Sequence, residues 1–236
     1  MNNNKANLWV PLADLMTVLM VLFLFVSISF MYALQKKQEK QNEIIVVYGS
    51  TKDALHKDLE AAFKNDFQRW NVTLNEDLSI KFLNPQVLFP VGSAEITPYF
   101  REILTEFVPR YFSIVLSEKY RNRIAEIRIE GHTDTRPVSP TGDPYLENMK
   151  LSQDRARTVL GFIRMQPYVQ ELPPDEKAQL QFWLTANGLS YGRTVNNQGQ
   201  YSFYNGGQVN ESGSRRVEFR IITTSEQVLE QAIKNL

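Results

Sequence analysis

The chain has 236 residues, with 26 basic and 26 acidic side chains, so its formal net charge is zero. A balanced charge gives no reason to expect nucleic-acid binding. Cysteine is absent and there are two histidines, which excludes disulfides and leaves no obvious nucleophile–base pair or zinc site. We therefore predict no enzyme activity, no resident metal and no cofactor.

The first predicted element is a long apolar helix near the N-terminus. Residues 15–35 carry no charge, and the segment before them is also mostly apolar. About 20 such residues span a bilayer, so residues 8–34 are predicted to form one transmembrane helix after a tail of residues 1–7. A cleaved signal peptide is the alternative, but the run is too long and no small-residue cleavage site follows it.

Asp14 lies inside this apolar run. It is six residues from Leu8, or about 9 Å along a helix. A carboxylate at such a depth is costly and is typical of an ion pathway or a buried partner. The alternative is a residue at a frayed helix start, because Pro11 suits a first helical turn. Thr17 shares a helical face with Asp14 and would bind its carboxylate, line an ion path, or bond back to its own helix.

Residues 35–71 are predicted to form a charged helical linker. A solvated charged stretch comes first, and a helical pattern follows with apolar residues on one stripe: Leu55, Leu59, Ala62, Phe63 and Phe67. This stripe would pack either on the following domain or on a second copy of the chain.

Residues 72–224 have the pattern of an α+β domain. Two short strands are predicted at 72–74 and 78–82, around a turn at 75–77. Thr97 and Pro98 then give an N-cap and a first helical residue. The helix should run to about residue 116, with Pro109 kinking it or ending its first half.

The rest of this domain alternates strands and helices. Strands are predicted at 124–131, 182–188 and 215–222, and a helix at 152–166 with Ser152 as its N-cap. A short amphipathic helix over 225–236 closes the chain. This order predicts an α/β sandwich with helices on one side of a small mixed sheet.

An acidic and a basic side chain form a candidate ligand site in this arrangement. The strand that ends at Gly131 delivers His132, Thr133 and Asp134 into a loop, and Arg155 would lie in the first turn of the next helix. Such a pair suits a ligand with an ammonium and a carboxylate, since arginine binds carboxylates bidentately. Alternatively, Asp134 and Arg155 pair with each other or brace the loop.

Three sequence motifs carry a family resemblance. GHTD at 131–134, N-x-x-L-S-x-x-R-A from Asn148 and R-R-V-E-F from Arg215 occur in this order. Together they resemble the OmpA-like peptidoglycan-binding domain over about residues 72–224. The resemblance implies a β-α-β-α-β-β fold that binds meso-diaminopimelate of the cell-wall peptide. The residues it implicates are Thr133, Asp134, Asn148, Leu151 and Arg155, with Asn148 and Leu151 as pocket floor and loop brace; His132 is either a ligand contact or a hydrogen-bonded structural residue.

The apolar helix resembles the membrane segment of MotB-type B subunits of ion-driven rotary stators. Those proteins place an ion-accepting aspartate in an A-D-x-M-T pattern, which matches Ala13, Asp14, Met16 and Thr17. The resemblance implies a homodimer of this chain in the lipid bilayer, inside a ring of five membrane-embedded A subunits. The transported ion would be a proton rather than sodium, because a sodium site needs several oxygen ligands and this helix offers few.

A difference within one motif indicates which kind of stator B subunit the chain resembles. Flagellar stator subunits usually carry N-W-E-L-S, whereas this chain has N-M-K-L-S at 148–152. The chain therefore resembles the B subunits of Zorya anti-phage systems more than flagellar ones; a non-motor peptidoglycan tether is a further alternative.

The resemblance also implies an inner-membrane, single-pass protein with a cytoplasmic N-terminus and a periplasmic domain. Positive residues favour the cytoplasmic side, and Lys36, Lys37 and Lys40 lie at the other end of the apolar run. The lysine bias alone thus predicts the opposite orientation. Glu39 and Glu43 dilute that cluster, and we follow the domain resemblance.

Overall fold

The computed structural model describes residues 9–83 and 88–227. The predicted tail at 1–7 and residues 228–236 of the predicted C-terminal helix lie outside the described residues. Residues 224–227 are helical, at the beginning of that last predicted element.

The first element is a single helix, α1, which runs without interruption over Trp9–Phe63, or 55 residues. The apolar run, the charged stretch and the linker helix are therefore one element. Lysine, glutamate and glutamine are strong helix formers, so the change from apolar to charged residues does not interrupt the backbone hydrogen bonding. Within α1, Pro11–Asn42 is long and apolar enough to cross a membrane, and none of it is buried inside the chain.

The C-terminal part of α1 belongs to the core of the folded domain. Leu55, Leu59 and Phe63 are buried, and the Phe63 ring lies 5.1 Å from that of Phe107. The apolar stripe predicted in the linker thus packs on the chain's own domain. A short helix, α2 (Phe67–Trp70), follows the end of α1.

Two long helices flank the middle of the domain. Helix α3 spans Pro98–Val115, and the side chain of its N-cap Thr97 accepts a hydrogen bond from the Phe100 amide, as predicted. It continues through Pro109, so of the two predicted alternatives, a kink or an end of the helix at this proline, the end is wrong. Helix α4 spans Pro144–Met165, with Asp143 as its N-cap.

The start of α4 corrects the sequence prediction. Ser152 lies inside this helix and does not cap it, so Arg155 is far from the first turn. The cap is made by Asp143, whose carboxylate accepts from the amides of Tyr145 and Leu146. Asp143-Pro144 is the same signal as Thr97-Pro98, and it places the N-cap nine residues before the predicted one.

The remaining helices are short. They are α5 (Pro167–Glu171), α6 (Pro174–Trp183), α7 (Ser202–Asn205) and α8 (Glu211–Ser214). Because α6 continues to Trp183, the predicted strand at 182–188 begins two residues later. Proline at the start of α6 and two acidic residues in its first turn favour this helix.

Five strands form one mixed sheet in the order β1-β2-β5-β3-β4. All neighbours are antiparallel except β3 and β4, which are parallel. The strands are β1 (Val72–Leu74), β2 (Ser79–Phe82), β3 (Ile124–His132), β4 (Leu184–Gly188) and β5 (Arg216–Thr223). From β2 onward the chain runs β2-α3-β3-α4-β4-β5 apart from the short helices, which is the predicted β-α-β-α-β-β order.

Alternation along the central strands separates an apolar face from a charged one. On β5, Val217, Phe219 and Ile221 are buried in the hydrophobic core. The Phe219 ring lies 5.1 Å from that of Phe107 on α3. The intervening residues of β5 and β3 are charged, and they include Glu218 and Glu130, which are paired across the two strands.

Candidate functional site

Two glycines bring the sheet and α4 together where the candidate ligand residues lie. Gly131 on β3 pairs with Gly188 on β4, so both stand at the same edge of the parallel pair. A Cβ atom on Gly131 would lie 2.2 Å from the Ser152 carbonyl oxygen, and one on Gly188 would lie 2.4 Å from the Gln153 amide nitrogen. Only glycine permits this approach, which brings the loop after β3 beside α4.

A pocket of about 230 Å³ opens between this loop and α4. All five residues implicated by the sequence line it: Thr133, Asp134, Asn148, Leu151 and Arg155. The other lining residues are Phe89, Val91, Gly92, Arg136, Pro137, Val138 and Arg215. The structure therefore gathers the predicted site residues around one cavity.

Asp134 is buried at the pocket wall and already has partners. Its Oδ1 accepts a hydrogen bond from the Arg136 backbone amide at 3.1 Å. Its Oδ2 accepts one from the Arg215 guanidinium and lies 3.7 Å from Arg136 Nε. Asp134 thus braces its own loop and forms an ion pair with Arg215, and not with Arg155 as one alternative had it.

Arg155 is held against the other side of the pocket. Its Nε donates to the Ser93 carbonyl at 2.9 Å, and its guanidinium lies 5.0 Å from the centre of the Phe89 ring. Burial lowers the pKa of Arg155 to about 10, with a further decrease from the charge of Arg215 and an opposing effect of Asp134. The group therefore remains a cation at neutral pH, and the described residues form no hydrogen bond with its terminal nitrogens.

The remaining predicted residues shape the pocket. Asn148 Nδ2 donates to the carbonyls of Arg136 and Pro144, at 2.9 and 3.0 Å. It thereby ties the loop after β3 to the first turn of α4. Thr133 is buried, and its hydroxyl has no hydrogen-bond partner among the described residues. Leu151 contributes an apolar lining surface.

Sequence reasoning did not assign a role to seven of the lining residues, and three of these contribute an aromatic ring or a charge: Phe89, Arg136 and Arg215. Phe89 and Arg136 gave no motif signal. Arg215 was recognised only as the first residue of R-R-V-E-F, although it contacts Asp134 directly. Two consecutive arginines, Arg215 and Arg216, at the start of the predicted strand were the one available signal.

His132 faces away from this pocket, into a buried ion-pair network. Burial lowers the pKa of His132 to about 3, assisted by the charge of Arg216, so its ring is neutral. Its Nε2 lies 3.6 Å from Glu130 and 3.7 Å from Glu218, and the three groups have the atom types of a metal site. Arg216 donates to Glu218, however, and Arg193 lies 3.7 Å from Glu130. The carboxylates are therefore already balanced by arginines.

The second candidate site is in the apolar part of α1. Asp14 is exposed on the surface of the helix, among side chains such as Leu15 and Met16 that are also exposed. Thr17 Oγ1 donates to the Ala13 carbonyl at 2.8 Å, so its hydroxyl proton is used within the helix. This is the back-bonded alternative for Thr17.

Comparisons with known proteins show which family the sequence belongs to. No protein-family model matches the chain. The Zorya protein ZorB of Escherichia coli strain Crooks is 33% identical over 229 residues, covering 96% of this chain and 92% of the relative. A second ZorB, from Escherichia coli O139:H28, is 24% identical over 221 residues, covering 90% of this chain and 79% of that protein.

Solved structures of similar shape come from bacterial MotB proteins. A MotB-like protein from Desulfovibrio vulgaris has a TM-score of 0.46 at 19% identity and covers 77% of this chain and 94% of its own. The periplasmic domain of Helicobacter pylori MotB has a TM-score of 0.40 at 17% identity and covers 66% of this chain and 84% of its own.

The element order, the pocket and the apolar helix define an α+β domain of the OmpA-like type joined to a single helix that is long and apolar enough to span a membrane. Within that class, the sequence relatives decide the assignment. The chain belongs to the family of Zorya ZorB proteins.

Proposed function

We propose that this chain is the B subunit of an ion-driven inner-membrane motor in a Zorya anti-phage system. In this role Asp14 carries the ion and the OmpA-like domain holds the complex to peptidoglycan. The observation that carries the proposal is a carboxylate on an apolar helix that no part of the described chain covers, joined to a pocket lined by acidic and basic groups. Membership of the ZorB family supports the same reading.

The membrane part of the proposal rests on the charge of Asp14. A carboxylate inside hydrocarbon needs a polar partner, and the polar side chain one turn further along its own helix, Thr17, donates its hydroxyl proton to the Ala13 carbonyl instead. The partner would come from a membrane-embedded A subunit, in a complex of two copies of this chain and five A subunits. Protonated Asp14 can pass apolar surfaces, whereas the ionised form must meet a polar group. One charge crossing 100 mV yields about 2.3 kcal/mol.

We propose a proton as the transported ion, because one carboxylate suffices to carry it. A sodium site needs several oxygen ligands, and the neighbouring positions Leu15, Met16 and Val18 supply none from their side chains. The chain would lie across the inner membrane with its N-terminus in the cytoplasm and its domain in the periplasm, where peptidoglycan is found.

The wall-binding part of the proposal rests on the pocket. Its ligand would be the meso-diaminopimelate of the peptidoglycan stem peptide, which carries both ammonium and carboxylate groups. Asp134 would hold an ammonium, and the terminal nitrogens of Arg155, which hydrogen-bond to none of the described residues, would bind a carboxylate, since guanidinium matches that geometry. Thr133, Asn148 and Leu151 would shape the walls and hold the loop.

Replacing Asp14 by asparagine tests the motor. Asp14→Asn keeps the size of the side chain and removes its ability to take up and release a proton. We expect phage protection to fall to the level of cells without the system, while complex assembly and retention on purified peptidoglycan are unchanged. Ser29→Asn places the same amide elsewhere in the apolar helix and should retain protection.

Undiminished protection in Asp14→Asn would contradict the motor. It would favour a wall tether that uses Asp14 only to dock its membrane partner.

Two pocket variants test wall binding. Asp134→Asn and Arg155→Gln each remove one charge of the pocket and should weaken retention on purified sacculi by about tenfold or more, the size of a charged hydrogen bond. Arg157→Gln, on the exposed side of the same helix, should bind as the unmodified chain does. Full retention in both pocket variants would return Asp134 and Arg155 to a purely structural role.

A further inference from the structure

Arg215 is already ion-paired with Asp134, the carboxylate that the ammonium of the proposed ligand would bind. Its guanidinium donates to Asp134 Oδ2, while the Arg136 amide takes Oδ1. Both side chains of the ion pair are largely buried, and both line the pocket. A ligand ammonium can therefore reach Asp134 Oδ2 only by displacing or sharing the bond to Arg215.

The charges of the pocket are unequal. Its lining contains three arginines, Arg136, Arg155 and Arg215, and one carboxylate, Asp134. When a ligand ammonium takes Asp134, the guanidinium of Arg215 loses its counter-ion in a half-enclosed space. A buried charge without a partner is costly, so the released arginine needs a new anion close by.

A carboxylate on the same ligand would supply that anion. We propose that Arg215 is an internal counter-ion of Asp134 that the ligand displaces, and that the released guanidinium then binds a carboxylate of that ligand. This inference rests on the proposed binding of a diamino acid of the cell wall. It assigns the pocket a requirement for more than one carboxylate on the ligand: one for Arg155 and one for Arg215.

We therefore expect the affinity of the pocket for a ligand to increase with the number of carboxylates on that ligand. Meso-diaminopimelate, lysine and 1,5-diaminopentane share a chain with two terminal amines and carry two, one and no carboxylates. A ligand with ammonium groups alone competes with Arg215 for Asp134 and leaves the displaced guanidinium without an anion. A ligand with two carboxylates replaces the Asp134–Arg215 ion pair by an ion pair between its ammonium and Asp134 and another between a carboxylate and Arg215.

The test measures how much of each of these three compounds is needed to release the full-length chain, in detergent micelles, from purified sacculi. For the unmodified chain we expect each lost carboxylate to raise the required concentration about tenfold, the size of one charge-assisted hydrogen bond. In Arg215→Gln the concentration of meso-diaminopimelate should rise about tenfold and that of 1,5-diaminopentane should fall about tenfold, since Asp134 Oδ2 then no longer has the charged partner that an ammonium must displace.

Two further variants serve as controls. Arg215→Lys keeps a cation beside Asp134 and should preserve the order of the three compounds, which separates charge from any effect on folding. Arg157→Gln removes one positive charge outside the pocket and should change none of the three concentrations.

Two results would overturn the inference. If Arg215→Gln shifts all three concentrations by the same factor, Arg215 only braces Asp134 and does not exchange partners. If the unmodified chain is not retained on sacculi at all, the proposed wall binding fails together with this inference.

Discussion

Gly131 decides how closely the loop that carries Asp134 approaches α4. Its position has no room for a side chain, because the Ser152 carbonyl would lie 2.2 Å from a Cβ atom. That contact involves backbone on both sides, so no side chain can rotate away to relieve it. The missing methyl group therefore permits the close approach of β3 to α4 beside the pocket.

Gly131→Ala should separate β3 from α4 and destabilise the domain by about 1–3 kcal/mol, the usual cost of overpacking. It should also weaken retention on sacculi, because the two walls of the pocket move apart. Chemical denaturation and the sacculus assay measure the two effects. Gly161→Ala is the matched control: nothing lies within 4 Å of its Cβ position on α4, and alanine should stabilise the helix by up to about 1 kcal/mol. Equal stability of the two variants would contradict the account of Gly131.

The candidate residues of the pocket were predictable one by one, but their partners were not. Thr133, Asp134, Asn148, Leu151 and Arg155 all line the same cavity, and the motifs that name them are local strings. The partner of Asp134 is Arg215, which lies 81 positions further along the chain. No periodicity or motif spacing reports such a contact, because it depends on the register of β5 beside β3.

At the scale of elements, the joint between α1, α2 and α3 depends on one buried carboxylate. Asp66 binds Arg69 and Arg110, each at 2.7 Å, and so connects the turn after α1 to α3. Burial alone would raise the pKa of Asp66, but the hydrogen bonds from Arg110 and Arg69 outweigh it and lower the pKa below 3.8. Asp66 therefore stabilises the fold above that pH, and the contribution is lost as the pH falls through the lowered pKa.

Asp66→Asn should cost about 1–2 kcal/mol of unfolding free energy at neutral pH, because two charged hydrogen bonds are weakened and Arg110 loses its counter-ion. The difference from the unmodified chain should shrink as the pH is lowered below the ordinary aspartate value. Urea denaturation at several pH values measures it. Asp154→Asn, which breaks the exposed pair with Lys150, should stay within about 0.5 kcal/mol. A pH-independent difference for Asp66→Asn would contradict the assignment.

The starts of α3 and α4 show when a helix boundary can be predicted from sequence. The start of α3 was predicted correctly because Thr97 and Pro98 form a complete local signal. The start of α4 was placed at Ser152, although Asp143 and Pro144 carry the same signal. Ser152 resembles a cap in sequence, yet it is buried between α4 and the chain after β4, where it accepts a bond from the Ser190 amide. Tertiary packing, and not helix capping, accounts for that serine.

At the scale of the whole molecule, α1 is both the apolar segment and part of the domain core. The uncharged apolar run ends at Gln35, and the first buried leucine of the core is Leu55. Twenty residues of continuous helix place the start of the domain core about 30 Å beyond the end of the apolar run. The domain therefore includes part of the predicted linker, and its core begins before the predicted boundary at residue 72.

Shortening the chain from its N-terminus tests whether the C-terminal part of α1 belongs to the domain core. A chain beginning at Gly49 keeps Leu55, Leu59 and Phe63 and should unfold cooperatively. A chain beginning at Asn65 loses these three buried side chains and should be destabilised by more than about 5 kcal/mol, enough to prevent folding. Circular dichroism during thermal unfolding distinguishes the two. Similar melting of both chains would show that the end of α1 is not part of the core.

Single substitutions compare the core part of α1 with its exposed apolar part in the same way. Leu59→Ala should cost about 2–5 kcal/mol, whereas Leu34→Ala, on the exposed apolar part of α1, should leave the stability of the domain unchanged.

The sequence by itself determined the apolar helix, Asp14 within it, most strands and, through the motifs that carry the family resemblance, five of the residues around the pocket. Each of these follows from interactions between residues close along the chain: hydrophobic periodicity, turn and cap signals, and short motifs. Only the tertiary structure decided that α1 enters the domain core, that Ser152 lies inside a helix and that Arg215 holds Asp134. Those features depend on which distant side chains meet in space, and that is fixed by the register of β5 beside β3 and by the packing of helices on the sheet.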